Sequence, residues 1–133
     1  MKKRSLLDSY AVIAYLKKEK NFQIVVDRLK EAESGRRHLY MNQINAGEVY
    51  YQVRKKNLAP DFKNFWETFL LLPVEFVAND FELILEAAEL KSRYAVSFAD
   101  CFAAATAIRE KAVIITGDPE FKQLGKEVEI EWI

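Results

Sequence analysis

The sequence predicts an α/β fold built on a mostly parallel sheet. Short apolar runs alternate with longer segments whose apolar residues recur at helical spacing, the pattern of strands joined by crossover helices. Only four glycines and three prolines interrupt 133 residues, half of them apolar and 13% aromatic. Such a chain can bury a core of its own, and its length suits a single domain over residues 1–133.

Residues 5–7 read as a short first strand and residues 10–16 as a helix. Phe22, Val25, Val26 and Leu29 give a second helix one apolar face. Residues 39–41 form the second strand, followed by a helix over about 46–56. Pro60 is expected to open the next helix, whose broad apolar face carries Phe62, Phe65, Trp66 and Phe69. Residues 74–77 make a third strand, and Leu83, Ile84, Ala87 and Leu90 lie in helical register within 80–91. An Ala-rich helix covers 98–110, and residues 113–116 form the clearest strand, β-branched throughout. A helical turn over 119–124 and a strand over 128–132 complete the pattern.

Twenty basic and twenty acidic residues leave no net charge, so no broad attraction for a polyanion is advertised. Cys101 is the only cysteine, which rules out an intramolecular disulfide and a Cys-rich zinc site. The opening residues hold a two-residue apolar run before Asp8, too short for a signal peptide, and no apolar stretch reaches membrane-spanning length. The expectation is a cytoplasmic protein without a membrane partner.

Four acids stand out by position. Asp8 follows the first strand, and Asp118 follows the strand over 113–116. Glu48 and Asp100 are expected in the first turns of their helices, and Asp100 is the only charge between residues 95 and 108. In a parallel sheet, strand C-termini and the following helix N-termini share one edge, where ligand sites collect near the switch in strand order. Each acid also has an ordinary local explanation. Asp8 and Asp118-Pro119 fit helix caps, while Asn45-Ala-Gly-Glu48 and Ser97-Phe-Ala-Asp100 resemble capping boxes. Asp80 is the control, an acid after a strand that should do no more than cap.

Collectively, four converging anions need a cation. One like-charge pair at about 4 Å costs on the order of 4 kcal/mol at an effective dielectric of ~20. An all-oxygen set without His or Cys suits Mg²⁺ or Mn²⁺ rather than zinc, and such sets serve phosphate chemistry.

These residues carry a family resemblance. Leu6-Leu7-Asp8-Ser9-Tyr10-Ala11 resembles the opening strand, acid and helix of PIN domains, and Asn45-Ala46-Gly47-Glu48-Val49 their second acidic block. Ser97-Phe98-Ala99-Asp100-Cys101 followed by an Ala-rich run is similar to the third. Ile115-Thr116-Gly117-Asp118-Pro119-Glu120-Phe121 matches the family's Thr-x-Asp-x-x-Phe block. Together the blocks span essentially the whole chain, and length and layout are most like the VapC toxins of toxin–antitoxin pairs. Cys101 replaces the alanine that commonly follows the third acid, and Gly47 adds backbone freedom before Glu48; neither removes a carboxylate.

The resemblance implies a PIN-like three-layer sandwich with a five-stranded sheet, and metal-dependent hydrolysis of RNA. Asp8, Glu48, Asp100 and Asp118 would be the catalytic, metal-holding carboxylates, with Asp8 and Asp100 the main ligands of Mg²⁺ or Mn²⁺. Ser9 and Thr116 would orient carboxylates or water. It also implies a homodimer inhibited by a VapB-type antitoxin. Arg36, Arg37, Arg54, Lys55, Lys56, Lys91 and Arg93 are candidate RNA-positioning cations, whereas His38 lacks an obvious partner and reads as structural. A catalytically silent PIN fold used as a binding module is one alternative, disfavoured by the intact acid set. A phospho-accepting receiver-like domain is another, but it would show paired acids after the first strand and a Lys after the last core strand. A haloacid-dehalogenase-type phosphatase would need a second acid at position 10, where the chain has Tyr10.

Overall fold

The structure, a computed structural model, describes residues 2–133, so Met1 lies outside it. Its strands are β1 (Lys3–Leu7), β2 (Arg37–Asn42), β3 (Glu75–Val77), β4 (Val113–Thr116) and β5 (Ile130–Trp132). They form one sheet in the order β3-β2-β1-β4-β5, and every neighbouring pair is parallel. The chain starts at the centre, builds outward to β3, then returns to the other side of β1. The switch in strand order therefore lies between β1 and β4.

The helices are α1 (Ser9–Leu16), α2 (Phe22–Glu33), α3 (Gln43–Lys55), α4 (Phe62–Leu70), α5 (Phe81–Arg93) and α6 (Phe98–Glu110), with a 3₁₀ helix over Pro119–Leu124. Successive strand residues point to opposite faces, and this divides the core. Leu6, Tyr40 and Ile114 pack with α5 and α6. Leu7, Leu39 and Ile115 pack with Ala11 and Val25 of α1 and α2, while Met41 joins α3 and α4. The sheet is thus covered on both faces, giving the three-layer α/β sandwich expected. Ile114 and Ile115, both fully buried, contribute about 1.5–3 kcal/mol each by leaving water. Helix α6 is buried over Asp100 to Ala107, because its run of alanines permits close packing between α5 and the sheet.

Elements 98–110, 113–116 and 119–124 begin and end where the sequence predicts. Two helix starts do not. Helix α3 opens at Gln43 rather than near Ala46, because Asn42 is the cap and its side chain accepts from Ile44 N–H at 2.8 Å. Asn45 is therefore inside the helix, and Glu48 lies in its second turn rather than its first. Helix α4 starts at Phe62, capped by Asp61 accepting from Asn64 N–H at 3.2 Å, so Pro60 precedes the cap instead of opening the helix.

Charged side chains tie α2 to the sheet. Arg28 of α2 forms a fork on Glu131 of β5, at 2.9 and 2.7 Å. Arg37 of β2 pairs with Glu31 at 2.8 Å and donates to Ser5 of β1 at 2.7 Å. No helix among the described residues is long and apolar enough to cross a membrane.

Candidate functional site

At the switch point, Asp8 ends β1 and caps α1, accepting from Ala11 N–H at 2.9 Å through Oδ1. Its Oδ2 accepts a short hydrogen bond from the Thr116 hydroxyl at the end of β4. That hydroxyl in turn accepts from Asp118 N–H at 3.0 Å, so one threonine links the two acids across the parting strands. Gly117 is the small residue this turn requires, since a Cβ there would lie 2.8 Å from the Ile133 carbonyl oxygen as well as 2.5 Å from the Tyr10 ring. Asp118 Oδ1 accepts from Glu120 N–H at 3.0 Å and caps the 3₁₀ helix, with Pro119 at its start.

Glu48 arrives from α3. Ser9 donates to its Oε1 at 2.9 Å, and the Asn45 amide, one helical turn earlier, donates to the same oxygen at 3.1 Å. The Asn45 amide also reaches Ala99 O of α6, at 3.2 Å. In the sequence Asn45 reads as a cap; in the fold it lies inside α3 and braces Glu48. The signal was its spacing, since residues three apart on a helix share a face. Asp100 sits in the first turn of α6, where its N–H donates to the Ser97 cap at 3.1 Å. Its Oδ2 is buried and has no hydrogen-bond partner.

Asp8, Glu48, Asp100 and Asp118 line one cavity of about 230 Å³. The tightest grouping within it is not the expected set of four. Asp100, Asp118 and Glu120 each offer an oxygen within 4.8 Å of the others, and Glu120 carried no role in the sequence reading. Asp8 stands deeper, with both oxygens already hydrogen-bonded.

The electrostatics are strained without a cation. Burial pushes the Asp8 carboxyl up to about 7, helped by the Asp118 and Glu48 charges and opposed by its bonds from Thr116 and Ala11. Burial, then the charge of Asp118, pushes Asp100 up to about 8. Asp80, the control, behaves differently: it caps α5 through Leu83 N–H at 2.8 Å and carries its own cation, Arg109, at 2.9 Å. The cavity acids fit a hard divalent ion. Every donor is a carboxylate oxygen, one buried oxygen lacks a partner, and no His or Cys lines the cavity.

Lys17, Gln52 and Lys56 also line the cavity, with Lys17 paired to Glu19 at 3.3 Å. Of the cations expected to position RNA, only Lys56 reaches the cavity, and Lys17 was not among them. Arg37 is buried against Glu31, Lys91 donates to Val96 O at 2.6 Å, and Arg93 pairs with Glu127 at 3.2 Å. Arg54 lies 4.7 Å from the centre of the Phe62 ring. His38 does have a partner, Glu75 at 2.8 Å, and stacks on Tyr40 with ring centres 4.2 Å apart.

Residues 5–127 match the PIN domain family. The chain belongs to that family. This placement displaces the receiver-like alternative. No curated protein matches this PIN domain at the sequence level. Solved structures do match its fold. A chain of the VapBC2 complex from Rickettsia felis, bound to a promoter DNA fragment, superposes with a TM-score of 0.73 at 19% identity, over 96% of this chain and 97% of that one. DNA-bound VapBC from Salmonella typhimurium gives 0.73 at 18% identity, over 98% of each chain. VapC20 from Mycobacterium tuberculosis, described as a sarcin–ricin loop cleaving toxin, gives 0.69 at 14%, over 90% and 94%.

Proposed function

We propose that this PIN domain is a metal-dependent endoribonuclease, acting in the cytoplasm as the toxin of a toxin–antitoxin pair. The observation that carries the reading is the Asp100 Oδ2 atom, buried without a partner in the cavity that Asp8, Glu48 and Asp118 also line. A buried acceptor without a donor is costly, and a cation satisfies it. Asp8, Glu48, Asp100 and Asp118 are the catalytic carboxylates in this reading and would hold Mg²⁺ or Mn²⁺. When bound, the ion supplies an acidified water and offsets charge on the leaving oxygen.

The remaining work falls to the chain itself. Thr116 holds Asp8 in one rotamer, and Ser9 and Asn45 hold Glu48. Lys17 and Lys56, which line the same cavity as the acids, draw the RNA backbone in against carboxylates that would otherwise repel it. Support for RNA as substrate comes from the structural likeness to a toxin described as cleaving the sarcin–ricin loop. Support for a VapB-type antitoxin and a homodimer comes from the likeness to VapBC complexes and from exposed aromatic side chains on α3.

The test is cleavage of RNA by the purified protein. Cleavage should require Mg²⁺ or Mn²⁺, stop with EDTA, and fall roughly 10²–10³-fold in Asp8→Asn and Asp100→Asn, since one short-range charge is worth about 4 kcal/mol. Both changes keep side-chain shape, so circular dichroism should be unaltered. Undiminished cleavage by Asp100→Asn would overturn the mechanism. A folded wild-type protein that binds RNA without cutting it would favour the silent binding module.

A further inference from the structure

The cavity that holds the acids extends along two helices to a basic end. Helices α1 and α3 both leave the sheet at the edge where the strands finish, and the Ser9 hydroxyl joins them there by donating to Glu48 at 2.9 Å. From that bond each helix lends the cavity a ladder of residues four apart, Ser9, Ile13 and Lys17 from α1 and Glu48, Gln52 and Lys56 from α3. Residues at that spacing share a helix face. Lys17 and Lys56 are the C-cap residues of their helices. At a rise of about 1.5 Å per residue, each lysine backbone therefore stands about 12 Å beyond the residue that starts its ladder.

None of Asp8, Glu48, Asp100 and Asp118 neutralises either lysine. Among the described residues Lys56 enters no ion pair, and Lys17 meets only Glu19, at 3.3 Å. Both members of that pair are well exposed, with side chains at 43% and 42%, and an exposed pair of this kind is weak. Glu19 also lines the cavity, so an anion entering there meets Lys17 already shared with a carboxylate. Between the two ends the lining includes Ile13 and Ala14, both apolar. A nucleic-acid strand repeats its phosphate about every 3.4 Å when stacked, and more widely when extended, so about 12 Å corresponds to roughly two to four nucleotides.

We infer that Lys17 and Lys56 form a subsite for a second, uncut phosphate of a single RNA strand, and that Glu19 competes with that phosphate for Lys17. The inference deepens the ribonuclease reading and rests on it. A phosphate held at the basic end fixes the register of the strand against the acids and carries no base information of its own. A mononucleotide cannot reach both ends, so the subsite favours strands over free nucleotides.

Fluorescence anisotropy of a labelled oligouridylate in EDTA reads the subsite without any turnover. The slope of log affinity against log salt counts the phosphates held, at about 0.7 for each phosphate of a single strand. Lys17, Glu19, Lys55 and Lys56 are all exposed, so their glutamine variants should fold, as circular dichroism would verify. Lys17→Gln and Lys56→Gln should each lower the slope by about 0.7 and weaken binding about fivefold at roughly 0.1 M salt. Lys55→Gln, next to Lys56 in the chain but outside the cavity, should do neither. Glu19→Gln should tighten binding about two- to fivefold, the scale of an exposed ion pair. An unchanged slope in either Lys17→Gln or Lys56→Gln, or an equal fall in Lys55→Gln, overturns the subsite even if the protein cuts RNA. A Glu19→Gln protein that binds no more tightly than wild type overturns the competition. The expected slopes, with no RNA cleavage by the wild type in Mg²⁺, uphold the phosphate subsite and sink the ribonuclease reading. A wild type that neither binds nor cuts RNA overturns both.

Discussion

Asn45 is fully buried and its amide serves two helices, donating to Glu48 at 3.1 Å within α3 and to Ala99 O at 3.2 Å in α6. It therefore fixes the spacing between Glu48 and the turn that carries Asp100. Asn45→Ala should lower Mn²⁺ affinity and cleavage by roughly 10–100-fold, the usual effect of losing a group that orients a ligand. It should also cost about 1–3 kcal/mol of stability by removing the two hydrogen bonds that join Asn45 to Glu48 and to α6. Calorimetry, a cleavage assay and a melting curve measure the three effects. Loss of stability alone, with metal affinity unchanged, would show Asn45 to be only a brace. The acids were legible because four of them recur after strands or early in the following helices, the one edge where a parallel sheet gathers its site. Asn45 was not, because Asn42 and Asn45 both fit a cap, and only the folded chain shows Asn42 capping Ile44 N–H and Asn45 turned to Glu48 and Ala99. Glu120 escaped for a related reason, as an exposed glutamate after a proline looks like any solvated turn.

At the level of elements, α6, β4 and the 3₁₀ helix were readable to the residue because each is bounded by its own local signals: Ser97, Asp118 and Pro119. The start of α3 was misplaced because its cap, Asn42, is itself held in a buried polar network. Asn42 donates to Asn79 at 2.7 Å and to Thr106 of α6 at 2.9 Å, contacts between segments far apart in sequence. Helix α4 has more apolar surface than its own core contacts cover. Between α3 and α4 lies a groove of about 400 Å³ lined by Tyr50, Trp66, Leu70 and Phe76, with Tyr50 41% and Leu70 48% exposed. Exposed apolar surface of this kind marks interfaces. If the groove takes part in the proposed dimer or in antitoxin binding, a Tyr50→Asp, Leu70→Asp double variant should weaken at least one assembly by about 30-fold, the scale of a 2 kcal/mol hot spot. Light scattering and a binding titration with the adjacent gene's product are the measurements. Full retention of both assemblies would remove the groove from the interface.

Across the whole molecule, the raised carboxyls set a pH dependence. In the metal-free fold Asp8 and Asp100 titrate near 7 and 8, whereas in the unfolded chain both titrate near 3.8. Between those values the folded state binds more protons, so stability falls as pH rises, and this contribution is lost above about pH 8. Glu131 and Asp80, held below the usual carboxylate range by Arg28 and Arg109, act in the opposite direction, but only in more acid solution. Melting temperature in EDTA should therefore decline from pH 5 to pH 8, and Mg²⁺ should flatten or reverse the decline. A metal-free protein more stable at pH 8 than at pH 5 would contradict the electrostatic account. The topology has a further consequence, for synthesis. Asp8 and Thr116 are joined across 108 residues, because the central strand β1 pairs with β4, which follows β2 and β3 in the chain. At roughly 5–20 residues per second, several seconds separate translation of the two. Throughout that interval Asp8 has no hydroxyl to hold it and no Asp118 beside it. A ribosome that has not yet reached β4 therefore carries only half a cavity, and the complete set of acids first exists once Asp118 has been added.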